Sequence, residues 1–277
     1  MTLAVFAIVL AAALLHAGWN AIVKAGDDKF LTTILVTAVA ALISALLLPF
    51  LRAPAMASWP FALLSALIQI GYFLLVARTY QAADMSQTYP LMRGTAPLIV
   101  ALASVFLLHE ALSAFAWCGV IAICLGILTM ALGTHLKDRK GTQLALLNAL
   151  LIAGYTLVDG IGVRRSGAPA AYTLWLFLLV GLPFALWGVL VRRASFLPYV
   201  RRYGWQGITG GIGTSASYGL ALWAMTRAPL AVVAALRETS ILFGVLIAGL
   251  LLREPVGPRR ILSACIIAGG AALLRLS

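Results

Sequence analysis

Apolar residues come in long runs along this chain, broken by short polar gaps and without the period-two alternation of a half-buried strand. Ten runs can be traced, at 3–23, 31–51, 59–80, 89–108, 113–133, 142–162, 172–191, 204–226, 231–252 and 261–276. Each comes near the roughly 20 apolar residues that a helix needs to cross a bilayer. The gaps carry turn chemistry, as in Asp27-Asp28-Lys29, Arg52-Ala53-Pro54, Ala168-Pro169, Ala228-Pro229 and Gly257-Pro258. In lipid every backbone polar group must pair inside the protein, so only helices and closed barrels span, and the missing alternation excludes the barrel. The first run is too long for a signal-peptide core and has no basic segment before it, so it is expected to be a retained span. The pattern predicts an all-α integral membrane protein with ten transmembrane helices.

The second half of the chain repeats the first. Displaced by 144 positions, residues 92–132 fall on 236–276: Arg93 meets Arg237, Thr95 meets Thr239, Glu110 meets Glu254 and Gly126 meets Gly270. Ala17-Gly18-Trp19-Asn20 is echoed by Ala153-Gly154-Tyr155-Thr156, and Tyr72 by Tyr218. The midpoint is the basic linker 135–141, with five runs on each side, which divides the chain into 1–134 and 142–277. Because five is odd, a tandem duplication inserts its copies upside down. The expected fold is two inverted five-helix repeats, with a site at their interface near the bilayer midplane.

Composition fits this picture. The chain is 63% hydrophobic and 10% charged, against roughly 25% charged residues in a soluble domain. Its net charge of +12 lies mostly in short gaps such as Lys137-Asp138-Arg139-Lys140, Arg192-Arg193 and Arg259-Arg260. Such loops meet anionic lipid, so membrane lipid is the expected partner and nucleic acid is not. Cys118, Cys124 and Cys265 all lie in apolar runs without metal-ligand spacing, so no disulfide framework, metal or cofactor is expected. His109-Glu110 lacks the second histidine of a zinc-protease motif and no Gly-x-Ser-x-Gly elbow is present. Nothing points to an enzyme. Gly207, Gly210, Gly211 and Gly213 fall within a span, where they serve close helix packing.

The candidate chemistry lies in charges and rings inside the runs. An Arg at the centre of a spanning helix costs roughly 2.5–3.5 kcal/mol, so Arg93 and Arg237 are expected to face water or a partner. They can bind a carboxylate of a ligand through their paired donors, or fix the halves together by ion pairs; both readings stand. Glu238 cannot face Arg237 on the same helix, one residue away, but can meet Arg93 from the other half; it is a candidate coupling group or a fixed counter-ion. Pro97 removes the hydrogen bond to the carbonyl of Arg93 and Gly94 adjoins it, so the fourth helix is expected to kink there, while Ile241 leaves the ninth unbent. Tyr89 shares Arg93's face. Trp19, Asn20, Tyr72, Tyr155 and Tyr218 are expected to add aromatic and polar walls, and His16 a second protonation site. Glu110 and Glu254 are expected to cap the helices that follow them, and Asp159, close to Arg164-Arg165, to sit at the interface.

Gly18-Trp19-Asn20, Leu107-Leu108-His109-Glu110 followed by Gly119 and Gly126, and Leu251-Leu252-Arg253-Glu254 with Gly270 resemble EamA-type permeases of the drug/metabolite transporter superfamily. Ser263 stands where the first glycine of the second copy would be. The resemblance implies a central cavity lined by both halves and export of a small organic metabolite or drug-like compound by alternating access, with protons exchanged as the coupling ion. It implies a multi-pass protein of the cell's inner (plasma) membrane whose partner is a small-molecule substrate. A membrane subunit or receptor that binds a ligand without moving it is the alternative. Orientation stays open: gaps after the odd-numbered runs hold twelve Lys and Arg against five on the other side when Arg275 at the C-terminus is included, which places the termini outside, whereas the resemblance implies cytoplasmic termini.

Overall fold

The structure, a computed structural model, describes residues 1–83, 85–130, 139–247 and 257–277. Linker residues 135–138, the ends of the fifth and ninth predicted runs, and Leu251 to Glu254 lie outside these. The described residues form helices and no strand: α1 Leu3–Ala25, α2 Lys29–Leu47, α3 Trp59–Ala82, α4 Met85–Leu108, α5 Ala114–Thr129, α6 Arg139–Ser166, α7 Pro169–Leu190, α8 Arg193–Met225, α9 Leu230–Arg237, α10 Ser240–Leu246 and α11 Pro258–Leu276. Six of the helical segments are long and apolar enough to cross a bilayer unaided: Leu3–Val23, Lys29–Phe50, Met56–Ala82, Thr88–Leu108, Arg139–Ser166 and Pro169–Leu190. Large apolar side chains such as Leu46, Leu67, Phe106, Leu125, Leu150 and Leu186 point outward, as lipid-facing surfaces require.

The gap residues start and stop these helices as their chemistry dictates. Asp28 Oδ1 accepts from Phe30 N at 2.9 Å and Leu31 N at 3.0 Å, capping α2. Ser113 caps α5 through Ala116 N, and proline occupies the first turn of α3, α7 and α11. At the end of α4, His109 adopts φ 54°, a left-handed conformation tolerated by His. The chain then turns so that Glu110 N donates to Ser104 O at 3.0 Å.

Helix pairing is close where small residues allow it. α5 crosses α11 at Gly119 and Gly270, where a Cβ on either would stand 2.9 Å from the other's carbonyl oxygen. Gly207, Gly210 and Gly211 of α8 take the side chains of Leu35, Val36 and Val39 of α2. Further pairs are α3 with α6, α2 with α7, α1 with α8, and α4 with α6 and α9. Polar bonds lock several of them: Ser217 Oγ donates to Ala12 O at 2.8 Å, and Asn148 Nδ2 to Thr79 Oγ1 at 2.7 Å. The amino group of Met1 reaches Ser277 O at 2.6 Å, so both termini lie at one end of the bundle.

Two features differ from the sequence expectation. α4 runs as one helix through Pro90 and Pro97, and an interruption that the sequence did not predict falls in the ninth run, between Arg237 and Ser240. There Glu238 N and Thr239 N bond three residues back, to Ala235 O and Leu236 O, so the helix tightens into a 3-10 turn without help from proline. The gap at 192–203 is also helical: it leads into the eighth run as the first part of α8, bent at Tyr203 (φ −116°, ψ 17°). Phe196 and Tyr199 bury against Leu31, Ile34 and Leu35 while Arg201 and Arg202 stay exposed, the pattern of a helix lying along a membrane surface.

Candidate functional site

The tightened turn in the ninth run aims its charges at the centre of the bundle. Arg237, the last residue of α9, and Glu238 are both buried there. Glu238 Oε2 lies 2.8 Å from Arg93 Nε of α4, with the two side chains 6% and 7% exposed. The other guanidinium, that of Arg237, stands over the ring of Tyr218, 4.8 Å from its centroid. Among the described residues no carboxylate comes within salt-bridge distance of Arg237, and Nη2 of Arg93 has no hydrogen-bond partner. Of the buried charged side chains described, Arg93 and Glu238 are in contact with each other, whereas Arg237 touches no carboxylate.

Around these groups lies a cavity of about 120 Å³. It brings together Arg93 and Tyr89 of α4, Arg237, Trp19, Asn20 and His16 of α1, Tyr72 of α3, Tyr155 of α6 and Tyr218 of α8. Glu238 is not in the wall; it touches the cavity through Arg93. The tyrosines form a chain of edge-on contacts, Tyr72 to Tyr155 at 5.8 Å and Tyr155 to Tyr218 at 6.5 Å, with Phe177 against Tyr218 at 6.2 Å. Such edge-to-face rings make a rigid apolar wall. On α1, Trp19 Nε1 donates to His16 Nδ1 at 3.3 Å and Asn20 Nδ2 to His16 O at 2.7 Å. His16 Nδ1 is therefore an acceptor in this arrangement, and a proton placed on it breaks the bond to Trp19. Thr33, Thr37 and Thr214 add neutral hydroxyls.

The sequence reading missed two groups. Asp159 is fully buried rather than interfacial: Tyr218 Oη donates to its Oδ2 at 2.5 Å, Gln69 Nε2 to the same oxygen at 3.2 Å, and Tyr172 Oη to Oδ1 at 3.1 Å. α6 continues to Ser166, so Arg164 and Arg165 lie more than a turn beyond it. Glu110 is structural, as expected, but its partners lie in the other half of the chain rather than in α5. Its Oε1 takes Arg164 Nη1 at 2.6 Å and its Oε2 takes Leu230 N at 2.9 Å, while Arg164 also donates to Met225 O and Ala228 O. Its equivalent, Glu254, lies outside the described residues.

The fold and cavity define a polytopic helical membrane protein with a polar, aromatic-walled chamber among its spans. A solved crystal structure superposes on 100% of this chain and 98% of its own with a TM-score of 0.76, at 19% identity, a likeness in fold alone. Residues 3–132 and again 139–276 match the EamA-like transporter family. The chain belongs to that family and is a multi-pass membrane transporter of small substrates.

Proposed function

We propose that this chain is a secondary active transporter that exports a small organic compound across the cell's inner (plasma) membrane by alternating access, coupled to protons. Its fold in this reading is ten spans in two inverted five-helix repeats. The two separate family matches, one on each half, support the duplication. Helix pairing supports the two-fold relation. Exchanging each run of the first half with its counterpart in the second turns the α3–α6 pair into α8–α1 and the α4–α6 pair into α9–α1, and leaves α2–α7 and α5–α11 as they are. Termini at one end of the bundle require an even number of crossings.

The observation that carries the substrate class is the guanidinium of Arg237 over Tyr218, in contact with no carboxylate of the described residues, at a cavity walled by Trp19, Tyr72 and Tyr155. An anionic group of the substrate supplies the direct partner that Arg237 lacks, and an aromatic or otherwise flat apolar body fits the walls. The substrate is then a small organic acid, held by Arg237 and by the unpartnered nitrogen of Arg93, with Asn20, Tyr72, Tyr89, Tyr155 and Tyr218 around it.

Alternating access needs a closure at each end. The cavity is lined from the first turns of α2 and α4 and the second half of α1, so it lies toward the end opposite the termini. At the terminal end, Glu110 and Arg164 tie α4 to α6 and to the α8–α9 loop, joining the two halves. At the other end, Tyr203 bonds Asp27 and Tyr199 bonds Thr32 at 2.6 Å, joining the α1–α2 turn to α8. Breaking the first set exposes the cavity to the terminal face, and breaking the second exposes it to the other face. Comparing metabolites released by cells with and without the gene tests the reading: selective loss of organic acids from the medium is expected, and an unchanged profile across all compound classes refutes it.

A further inference from the structure

We propose that Asp159 is the group that takes up a proton when an organic anion enters the cavity, with Tyr218 as the link between them. This rests on the transport reading above but uses a residue outside the cavity wall. A coupling group must exist with and without its proton. Glu238 is poorly placed for this, since Arg93 holds it at 2.8 Å and Arg237 directly precedes it in the chain. Asp159 is buried without a cation in contact: its three donors, Tyr172 Oη, Tyr218 Oη and Gln69 Nε2, are all neutral. Each can remain bonded to the acid. A tyrosine hydroxyl can rotate to accept the new O–H, whereas a guanidinium can only donate.

The titratable and charged groups facing Asp159 are Tyr172 from α7, Tyr218 from α8, Tyr155 one turn back on α6, and Arg237 from α9. α3 contributes neutral Ser65 and Gln69, and Arg93 of α4 faces Tyr155. Gln69 and Tyr218 belong both to the cavity wall and to this cluster, so a proton reaches Asp159 from cavity water through one side chain. Arg237 lies on one side of the Tyr218 ring and Asp159 bonds its hydroxyl. An anion that neutralises Arg237 removes the positive charge stabilising the Asp159 carboxylate. At a separation on the order of 10 Å and an effective dielectric of about 20, that change favours protonation by roughly tenfold. Anion and proton then bind together, and the net cargo is the neutral acid: the proton sits on Asp159 while the anion occupies Arg237, and both leave to the same side. The sense of coupling is cotransport, in place of the exchange that the family resemblance implies, so an inward proton gradient does not drive the export and the acid leaves down its own gradient.

Two measurements decide this. Infrared spectra of the protein in lipid, recorded between about pH 5 and 9, are expected to show a titrating protonated-carboxyl band that persists in Glu238→Gln, shifts in Tyr218→Phe and vanishes in Asp159→Asn. A band that survives Asp159→Asn, or wild-type protein with no titrating band, overturns the assignment, and neither result needs a substrate. Phenylacetate and indoleacetate, added to the purified protein in weak buffer with a pH dye, are expected to cause proton uptake in wild type and none in Asp159→Asn. Binding by calorimetry with no uptake, or with proton release, overturns cotransport. Absence of phenylacetate and indoleacetate binding alone counts against the organic-acid reading and leaves the infrared result to judge Asp159. Should Asp159→Asn fail to fold, the shift in Tyr218→Phe carries the test, and an unshifted band there overturns the link.

Discussion

Removing Glu238 should damage the protein more than removing its partner Arg93. The two form a buried pair, 2.8 Å from Nε to Oε2, with both side chains at most 7% exposed. At that separation and an effective dielectric of about 20, the direct attraction is about 6 kcal/mol, and breaking one side of a buried pair costs about 3–5 kcal/mol because the survivor remains desolvated. Glu238→Ala leaves Arg93 and Arg237 as two buried cations with no carboxylate in contact, so the upper part of that range applies. Arg93→Ala leaves Glu238 still under the field of Arg237, and its cost should fall near the lower end. The double variant should be more stable than the sum of the singles predicts, by at least about 2 kcal/mol. Reversible unfolding in mixed micelles, run on wild type, both singles and the double, measures all three quantities. Losses below about 1 kcal/mol in both singles, or a strictly additive double, would mean that the pair contributes no net coupling and would refute this charge accounting.

Other consequences concern different parts of the molecule. Arg237→Ala and Arg93→Ala should each abolish or strongly weaken transport with folded protein retained, as judged by gel filtration; full activity in both removes the site assignment. Glu110→Ala should cost roughly 1–3 kcal/mol, since Leu230 N and Arg164 lose their acceptor. It should also speed labelling of Phe177→Cys by an impermeant thiol reagent added at the terminal face, in a chain whose three native cysteines are replaced; an unchanged rate contradicts the closure. Gly119→Ala places a Cβ 2.6 Å from Leu274 Cγ and 2.9 Å from Gly270 O, and overpacking of that kind costs about 1–3 kcal/mol. Gly269→Ala meets nothing within 4 Å and should be neutral or stabilising by about 0.5–1 kcal/mol, so a comparable loss in both would refute the close crossing.

What the sequence revealed follows from physics with a short reach along the chain. A bilayer demands apolar length, so the runs and their gaps are readable without any partner in view. Arg93 and Arg237 stand out because a charge inside a run is expensive and because each half marks the same position. The tyrosines at 72, 155 and 218 were traceable through the same repetition. Asp159 was not, because its three donors come from three other helices and its nearest charged neighbours in sequence, Arg164 and Arg165, suggested an interface instead. Its lack of any basic residue three or four positions away was the available signal. The break after Arg237 was hidden because no proline or glycine stands between Arg237 and Ser240 to mark it. Glu110 carried its role in the sequence but not its partner, since Arg164 and Leu230 lie 54 and 120 positions away.

The central claim is that this single chain moves an organic acid through the cavity at Arg237. Purified protein sealed into liposomes loaded with the acid identified by the export comparison should release it at a saturable rate, well above protein-free liposomes, and Arg237→Ala should bring that rate down to the protein-free level. No release above the protein-free control would favour a ligand-binding subunit or receptor, and equal release by Arg237→Ala would contradict the site on which the account is built.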